Sequence, residues 1–242
     1  MVSRLGILVG TGILAASATA PAWGETLRFN QWVPRSHHTQ SQLLHPWFKK
    51  IAAATEGRVK IEPTAASLGS PRAQFDMVRD GVADVVFSVH SYTPARFHLA
   101  LVGLLPFSGN TAESVSVAYW RVTQKMFAKQ DEYKGVKLVA LMTSDPGHVY
   151  NNKRPIRSIA DFRGLKLRVA TTVTAEIAAK FGVVPVTARA PKTYEVLANG
   201  VADGTFSTLD AFRSWKLEKL LPHFTRFPGG LYFNTFYIAM NQ

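Results

Sequence analysis

Two ten-residue stretches, RDGVADVVFS at residues 79–88 and ANGVADGTFS at residues 198–207, share the core GVAD-x-x-FS. Their first glycines, Gly81 and Gly200, lie 119 residues apart. Each copy follows apolar residues at helical spacing, and a glycine that closes a helix in the left-handed conformation commonly precedes a new element. We therefore predict two helix–glycine–strand junctions and interpret the pair as the mark of two related α/β lobes.

The chain around these junctions alternates between helical and strand patterns. Residues 41–56 place apolar side chains on one face of a helix, and residues 57–62 follow as a strand entered from a glycine. Residues 164–169 form a second strand of this kind, after a short helical segment. Alternating helices and strands favour an α/β fold with mostly parallel sheets.

The order of the elements predicts two lobes with a ligand cleft between them. Residues 135–142 have the pattern of a strand, and the turn residues at 143–147 mark a crossing from one lobe to the other. A further strand at 231–239 follows Pro-Gly-Gly and returns. The predicted divisions are a leader at 1–24, lobe I at 25–145, lobe II at 146–232 and a strand crossing back to lobe I at 233–242.

The leader has the features of a secretory signal peptide. It carries one cation, Arg4, before an apolar run, and its small residues end in Ala22-Trp23-Gly24, which fits a cleavage site. The apolar run is too short to span a membrane. Cleavage of these 24 residues from 242 leaves 218, enough for two lobes. We expect a periplasmic protein that is not embedded in the membrane.

The composition narrows the class of partner. The net charge is +12, or +11 without Arg4, which favours an anionic partner. The cations are scattered and no nucleic-acid-binding motif is present, so we expect a small acid and no nucleic acid. There is no cysteine, and no nucleophile, metal or phosphate motif, so neither a cofactor nor catalysis is expected. His37, His38 and His45 have no carboxylate nearby in sequence, which favours a solvated helix start over a zinc site.

Ligands of open α/β sheets bind beyond the carboxyl ends of the strands. Arg168 lies near such an end, although Leu165 and Leu167 alternating with cations are by themselves more typical of a strand with one solvent-exposed face. A guanidinium group at this place matches a carboxylate with two hydrogen bonds. The candidate ligand-binding residues are Trp32, His90, Tyr92, His148, Arg168, Phe206, Ser207, Asp210 and Asn234.

Several segments resemble the DctP-type solute-binding proteins of TRAP transporters. They are LRFNQW at 27–32, EGRVKIEPTAASLGSPRAQFDMVRDGVAD at 56–84, LPF at 105–107, NKRPIRSIADFRGLKLRV at 152–169 and YEVLANGVADG at 194–204. The fourth segment is the most specific, and the five follow one another in order across nearly all of the chain after the leader. The resemblance implies a type II-like periplasmic binding protein that delivers an organic acid to a small and a large membrane subunit.

The resemblance also assigns residues. The family's carboxylate-binding arginine falls on Arg168, while a second arginine found in some members is replaced by His148. The family's asparagine contact falls on Ser207, with Phe206 beside it. These differences favour a monocarboxylate with a neutral or aromatic remainder. The family normally continues with C-terminal helices past Gln242, so the C-terminal helical part is expected to be missing here.

Other functions fit the same residues. A binding protein of this kind also serves as the ligand-presenting partner of a periplasmic sensor. A periplasmic enzyme acting on small acids would use His90 or His148 as general base, but it lacks a nucleophile or metal group. An ABC-type receptor shares the architecture and is disfavoured by the family motif.

Overall fold

The computed structural model describes residues 24–242. Apart from Gly24, the predicted signal peptide lies outside the described residues. Within the described part of the chain, no helix combines the length and the apolar composition that crossing a bilayer requires.

Two five-stranded sheets form the framework of residues 24–242. In the first sheet the order is β2-β1-β3-β10-β4, and in the second it is β7-β6-β8-β5-β9. The strands are β1 (Glu25–Asn30), β2 (Val59–Pro63), β3 (Val85–Val89), β4 (Lys137–Thr143), β5 (Gly147–Asn151), β6 (Lys166–Val169), β7 (Val184–Thr187), β8 (Gly204–Thr208), β9 (His223–Thr225) and β10 (Thr235–Met240).

Helices pack on both sheets. The α-helices are α1 (His45–Ala54), α2 (Gln74–Arg79), α3 (Ala112–Val122), α4 (Thr172–Lys180), α5 (Thr193–Ala198) and α6 (Leu209–Ser214). Wider π-type turns lie at Thr39–Leu44 and Thr123–Phe127, and 3₁₀ turns lie at His90–Tyr92, Leu99–Leu104, Asp131–Tyr133, Ile159–Phe162 and Ala190–Lys192. The helix predicted over 41–56 is therefore a π-type turn that continues into α1.

Each sheet is parallel on one side and antiparallel on the other. Strand β1 pairs in parallel with β2 and β3, and β6 does so with β7 and β8. The strands that arrive from the other lobe, β10 and β5, add antiparallel to β3 and β8. The predicted α/β class with two lobes is confirmed, with more antiparallel pairs than the alternation of elements indicated.

The two segments that connect the sheets, one between β4 and β5 and the other between β9 and β10, run side by side. Gly147 N–H donates to the carbonyl oxygen of Tyr232 at 2.8 Å, and the amide of Leu231 donates to the carbonyl oxygen of Gly147 at 2.9 Å. A Cβ atom on Gly147 would lie 2.1 Å from Cε1 of Tyr232, so glycine is required there. The strand predicted at 231–239 begins only at Thr235, because Leu231 and Tyr232 bond to Gly147 and Asn234 bonds to Ser144, so that these residues do not pair within the first sheet.

Both repeated junctions form as predicted. Gly81 follows α2 with φ of 72°, and Gly200 follows α5 with φ of 68°. The central strand β3 is buried along its whole length, with Val86 in the core on one face of the sheet and Phe87 in the core on the other. Strand β8 is equally buried in the second sheet. The two junctions thus deliver central strands whose carboxyl ends meet between the lobes.

Candidate functional site

A cavity of about 310 Å³ lies between the two sheets. The first sheet contributes residues from β3, β4 and β10 and from the segments after β1, β3 and β4. The second sheet contributes residues from β6 and β8, the segment after β6, and α6. Much of the lining therefore comes from the carboxyl ends of strands, as expected for an open α/β fold.

Arg168 is the buried cation of this cavity. Its side chain is 5% exposed, whereas Lys166 on the same strand is exposed. The Nε–H group donates to the carbonyl oxygen of Ala188 at 2.8 Å, which fixes the plane of the guanidinium group. Its Nη2 atom is buried and has no hydrogen-bond partner among residues 24–242. No described Asp or Glu forms a salt bridge with it.

Burial without an anion is unfavourable for this charge. Desolvation lowers the pKa of Arg168 from its ordinary value, and the nearby Tyr92 and Tyr232 hydroxyls oppose that shift. Arginine nevertheless stays protonated at physiological pH. A buried cation with a free N–H group is stabilised when an anion pairs with it, so the site is suited to a carboxylate.

Aromatic rings from the first sheet form one wall. Trp32 Nε1 donates to the carbonyl oxygen of Phe87 at 2.7 Å, and the Trp32 ring stacks on Phe87 with 6.3 Å between centroids. Phe236 stacks on the Phe87 ring with 5.1 Å between centroids, and Tyr92 meets Trp32 edge-on with 6.1 Å between centroids. Since the indole N–H is already bonded, Trp32 presents an apolar ring surface to the cavity.

The second lobe adds two aromatic residues and a hydroxyl. Phe206 and Tyr232 lie with their ring centroids 6.0 Å apart. Ser207 Oγ donates to the carbonyl oxygen of Thr208 at 3.1 Å, which leaves its lone pairs as acceptors. Burial raises the pKa of Tyr232, and the charge of Arg168 acts in the opposite direction. Tyr232 therefore remains a neutral hydroxyl close to the arginine.

A cross-lobe contact between a histidine and an aspartate also lines the cavity. Asp210, in α6, pairs through Oδ2 with Nε2 of His38, which lies in the segment after β1. The backbone amide of His38 donates to Ser214 Oγ at 3.2 Å, so His38 holds α6 at two points. Oδ1 of Asp210 is buried and has no hydrogen-bond partner among the described residues.

Seven of the nine residues selected from the sequence line the cavity. They are Trp32, Tyr92, Arg168, Phe206, Ser207, Asp210 and Asn234.

The structure corrects the placement of His90. It follows β3, but the 3₁₀ turn at His90–Tyr92 directs it into the core of the first lobe, where it is fully buried. Its Nε2 atom lies 2.6 Å from the Tyr133 hydroxyl. Burial lowers the pKa of His90 to about 3, with the backbone of Thr235 acting weakly in the opposite direction. His90 is thus a neutral core residue that does not reach the cavity.

His148 does not line the cavity either. Its Nδ1 atom accepts a hydrogen bond from the Phe227 amide at 3.2 Å, and its ring meets Phe224 edge-on with 5.4 Å between centroids. Desolvation and then the charge of Arg226 lower its pKa. The position that the resemblance assigned to a second anion contact is therefore occupied by a histidine bonded to its own lobe.

Several lining residues were not selected from the sequence. Phe87 lies in the strand predicted after the first junction, and Tyr232 and Phe236 lie in the strand predicted at 231–239; all three complete the aromatic lining. His38 had been assigned to a solvated helix start. Its contact with Ser214 spans 176 residues of sequence, and no local pattern signals such a contact.

His37 is also buried, at 7% exposure, and its ring lies 5.1 Å from that of Trp215 in the second lobe. The expectation of a solvated helix start is therefore wrong for this residue. Burial, followed by the charge of His38, lowers the pKa of His37 to about 4. Residues 24–242 contain no group of three or more His, Asp or Glu side chains placed to hold a metal ion.

Comparison with known proteins identifies relatives over most of the chain. Residues 29–239 match the model of the bacterial extracellular solute-binding proteins, family 7 (DctP). The chain is 30% identical over 232 residues to the outer membrane transporter protein TsaT of Comamonas testosteroni, covering 95% of this chain and 68% of that protein.

Crystal structures with the same fold include two with bound acids. A TRAP periplasmic solute-binding protein from Bordetella bronchiseptica, holding (R)- and (S)-mandelate, is 40% identical with a TM-score of 0.86, covering 90% of this chain and 69% of that one. A TRAP solute-binding protein from Rhodoferax ferrireducens, with copurified benzoate, is 30% identical with a TM-score of 0.84 and the same two coverages.

Proposed function

The chain belongs to the family 7 bacterial extracellular solute-binding proteins, the DctP-type TRAP receptors, and on that premise we propose that it captures an aromatic monocarboxylate. The observation that carries the proposal is the buried, anion-free Arg168 inside a cavity walled by aromatic rings. The relatives described above were solved with mandelate and benzoate, which have this chemistry.

In this proposal Arg168 binds the carboxylate of the ligand. The bond from Nε–H to Ala188 O fixes the guanidinium plane, so that Nη2 is already oriented when the acid arrives. A hydrogen bond to a charged group contributes about 1.5–3 kcal/mol. Because no carboxylate among residues 24–242 pairs with this cation, an acid replaces no ion pair of the described chain.

The aromatic wall selects the remainder of the ligand. Trp32, Phe87 and Phe236 present stacked rings from the first sheet, and Phe206 faces the cavity from the second. Aromatic pairs in offset or edge-to-face contact contribute about 0.5–1.5 kcal/mol beyond the burial of apolar area. An aromatic ring attached to the carboxylate can pack on these side chains while the carboxylate binds Arg168.

Binding is tested by calorimetry and thermal unfolding with benzoate and mandelate, and with acetate and succinate as aliphatic controls. Benzoate or mandelate at 100 times its dissociation constant should add about 2.7 kcal/mol to the free energy of unfolding. Arg168→Met should weaken that binding about 10- to 150-fold, the factor that corresponds to the energy of the charged hydrogen bond.

Lys166→Met is the matched control, because it removes one positive charge from the same strand at an exposed position. It should leave the dissociation constant within about twofold, since exposed charges contribute little. Equal weakening by both substitutions would contradict a specific role of Arg168. Acid recovered unchanged after prolonged incubation would agree with a receptor, whereas turnover would favour the enzyme.

We further propose that the protein is exported to the periplasm and passes the acid to a small and a large membrane subunit. The apolar leader and the TRAP family support this assignment. Vesicles containing the two membrane subunits should accumulate labelled benzoate only when the loaded protein is added to the outside. Equal accumulation without the protein would contradict the delivery role.

A further inference from the structure

The carboxylate of Asp210 presents two oxygens with different surroundings. Oδ2 is engaged by His38 Nε2, across the lobes. Oδ1 is buried and has no hydrogen-bond partner within residues 24–242, while the Thr208 hydroxyl and the Ala211 amide lie close enough to the carboxylate to stabilise its charge. Because Asp210 lines the same cavity as Arg168, the free oxygen belongs to the site and not to a separate surface.

Asp210 carries a negative charge whenever the protein is folded at ordinary pH. Burial raises the pKa of Asp210, but the hydrogen bond and charge of His38, together with Thr208 and the Ala211 amide, lower it to about 2. An ionised carboxylate accepts hydrogen bonds and donates none. An acceptor left without a partner in a buried site costs about 1–3 kcal/mol, so a ligand donor placed there is favoured.

The oxygen is held in place from both lobes. Asp210 belongs to α6, while His38 belongs to the segment after β1 and also bonds to Ser214 of α6. The pairing with His38 uses one oxygen and leaves the other without a hydrogen-bond partner among the described residues. The charges of Arg168 and Asp210 both act on the hydroxyl of Tyr232, so that Tyr232 lies near each of them.

From this arrangement we infer that the cavity selects aromatic monocarboxylates carrying a hydroxyl or another neutral donor, which binds Oδ1 of Asp210, and that the same oxygen excludes dicarboxylates. The inference rests on the proposed function, in which Arg168 holds the ligand carboxylate. Arg168 then recognises the acid group that all ligands share. Asp210 distinguishes among them, because a donor gains a bond there and a second carboxylate meets a like charge in a desolvated space.

The test compares ligands that differ at one group. Calorimetry is carried out with benzoate, the three monohydroxybenzoates, the corresponding methoxybenzoates and the benzenedicarboxylates. At least one hydroxybenzoate should bind about tenfold more tightly than benzoate and than its methoxy analogue, since only the hydroxyl donates. The benzenedicarboxylates should bind about 100-fold more weakly than benzoate or not at all.

Two variants separate the role of Asp210 from that of the lobe contact. Asp210→Asn removes the charge but keeps an amide oxygen. It should reduce the hydroxyl preference severalfold and relax the discrimination against dicarboxylates, both measured as ratios to the benzoate affinity of the same variant. His38→Gln keeps Asp210 but weakens the cross-lobe pair. This substitution should weaken the binding of all ligands by a common factor and leave the preference for hydroxyl-bearing ligands unchanged.

The outcomes distinguish this inference from the proposed function. If benzoate binds but no hydroxybenzoate binds more tightly, or if Asp210→Asn leaves the preference unchanged, the role of Asp210 is overturned and the binding of monocarboxylates stands. If none of the acids binds to the folded wild-type protein, as judged by its cooperative thermal unfolding, both are overturned.

Discussion

The two GVAD junctions form the same local structure in two different surroundings. The backbone amide of Asp84 donates to the carbonyl oxygen of Arg28 at 3.0 Å, and its carboxylate accepts from the Arg28 amide at 2.7 Å. Asp203 does the same with Lys166, at 2.6 Å and 2.9 Å. In each lobe the aspartate joins the central strand to its parallel neighbour, so the repeated sequence encodes one way of building a sheet.

The two copies and their flanking residues differ at positions that affect packing and the lining of the cavity. Gly204 stands where the first copy has Val85, and Asp210 stands where the first copy has Ser91. The first sheet supplies most of the aromatic wall, whereas the second supplies Arg168 and the carboxylate of Asp210. The shared aspartates thus build the two sheets, the shared Phe87 and Phe206 both line the cavity, and Arg168 and Asp210 come from unshared positions of the second lobe.

The largest effect on stability should come from replacing Gly204 of the second copy by valine, the residue at the same position of the first copy. A Cβ atom on Gly204 would lie 2.1 Å from the carbonyl oxygen of Tyr150 and 2.8 Å from Cα of Asn151. Gly204→Val therefore has to separate β8 from β5, and we expect a loss of more than about 4 kcal/mol in the free energy of unfolding.

The reciprocal change Val85→Gly tests the same position in the first sheet. It should cost about 2–4 kcal/mol, because it removes a fully buried side chain without creating a clash. Urea unfolding measures both variants. A Gly204→Val protein within about 1 kcal/mol of the wild type would show that the close approach is not obligatory.

The next effect concerns pH. Burial lowers the folded-state pKa of His90 to about 3, while an unfolded histidine titrates near 6.5. Between these values the unfolded chain binds the proton and the folded chain does not. Stability attributable to His90 is thus complete above pH 6.5 and decreases by about 1.4 kcal/mol per pH unit as the pH falls towards 3.

Urea unfolding at several pH values gives the slope of the unfolding free energy against pH, and the contribution of His90 is the difference in this slope between the wild type and His90→Gln. The glutamine keeps a hydrogen-bonding group near Tyr133 but does not titrate. The corresponding position in the second copy is Leu209, which is 45% exposed. Leu209→His should add no comparable slope, because its histidine stays in water. Identical slopes for the wild type and His90→Gln between pH 6 and pH 4 would contradict the burial argument.

The smallest effect should come from the shared aspartates. Asp84→Ala and Asp203→Ala each leave one strand amide without its acceptor, and each should cost about 1–2 kcal/mol. The surface ion pair of Asp84 with Arg28 adds little, since the arginine is more than half exposed.

The Asn variants at the two positions retain an acceptor oxygen and should cost less than the Ala variants. Thermal unfolding of the four proteins measures the costs. A severalfold difference between the two Ala variants would show that the junctions are not energetically equivalent.

Local patterns in the sequence were sufficient for the elements and for the choice of one candidate binding residue. The glycines that end α2 and α5, the alternation of β6 and the family motif together indicated the two lobes and Arg168. The rule that ligands lie beyond the carboxyl ends of strands brought seven of nine selected residues to the cavity. It failed for His90, because a single 3₁₀ turn redirects the side chain into the core, and a turn of this kind has no strong sequence signal.

The amino-acid sequence by itself determined what repeats along the chain: the helix–glycine–strand junctions, the buried central strands and a cation at the end of a strand. These follow from backbone conformation and from the burial of apolar side chains over a few neighbouring residues. Only the tertiary structure decided that Arg168 is buried with no carboxylate of the described chain beside it, and that His38 meets Asp210 across the lobes. Desolvation and charge pairing depend on distances between residues far apart in sequence, so they arise only when the two sheets come together.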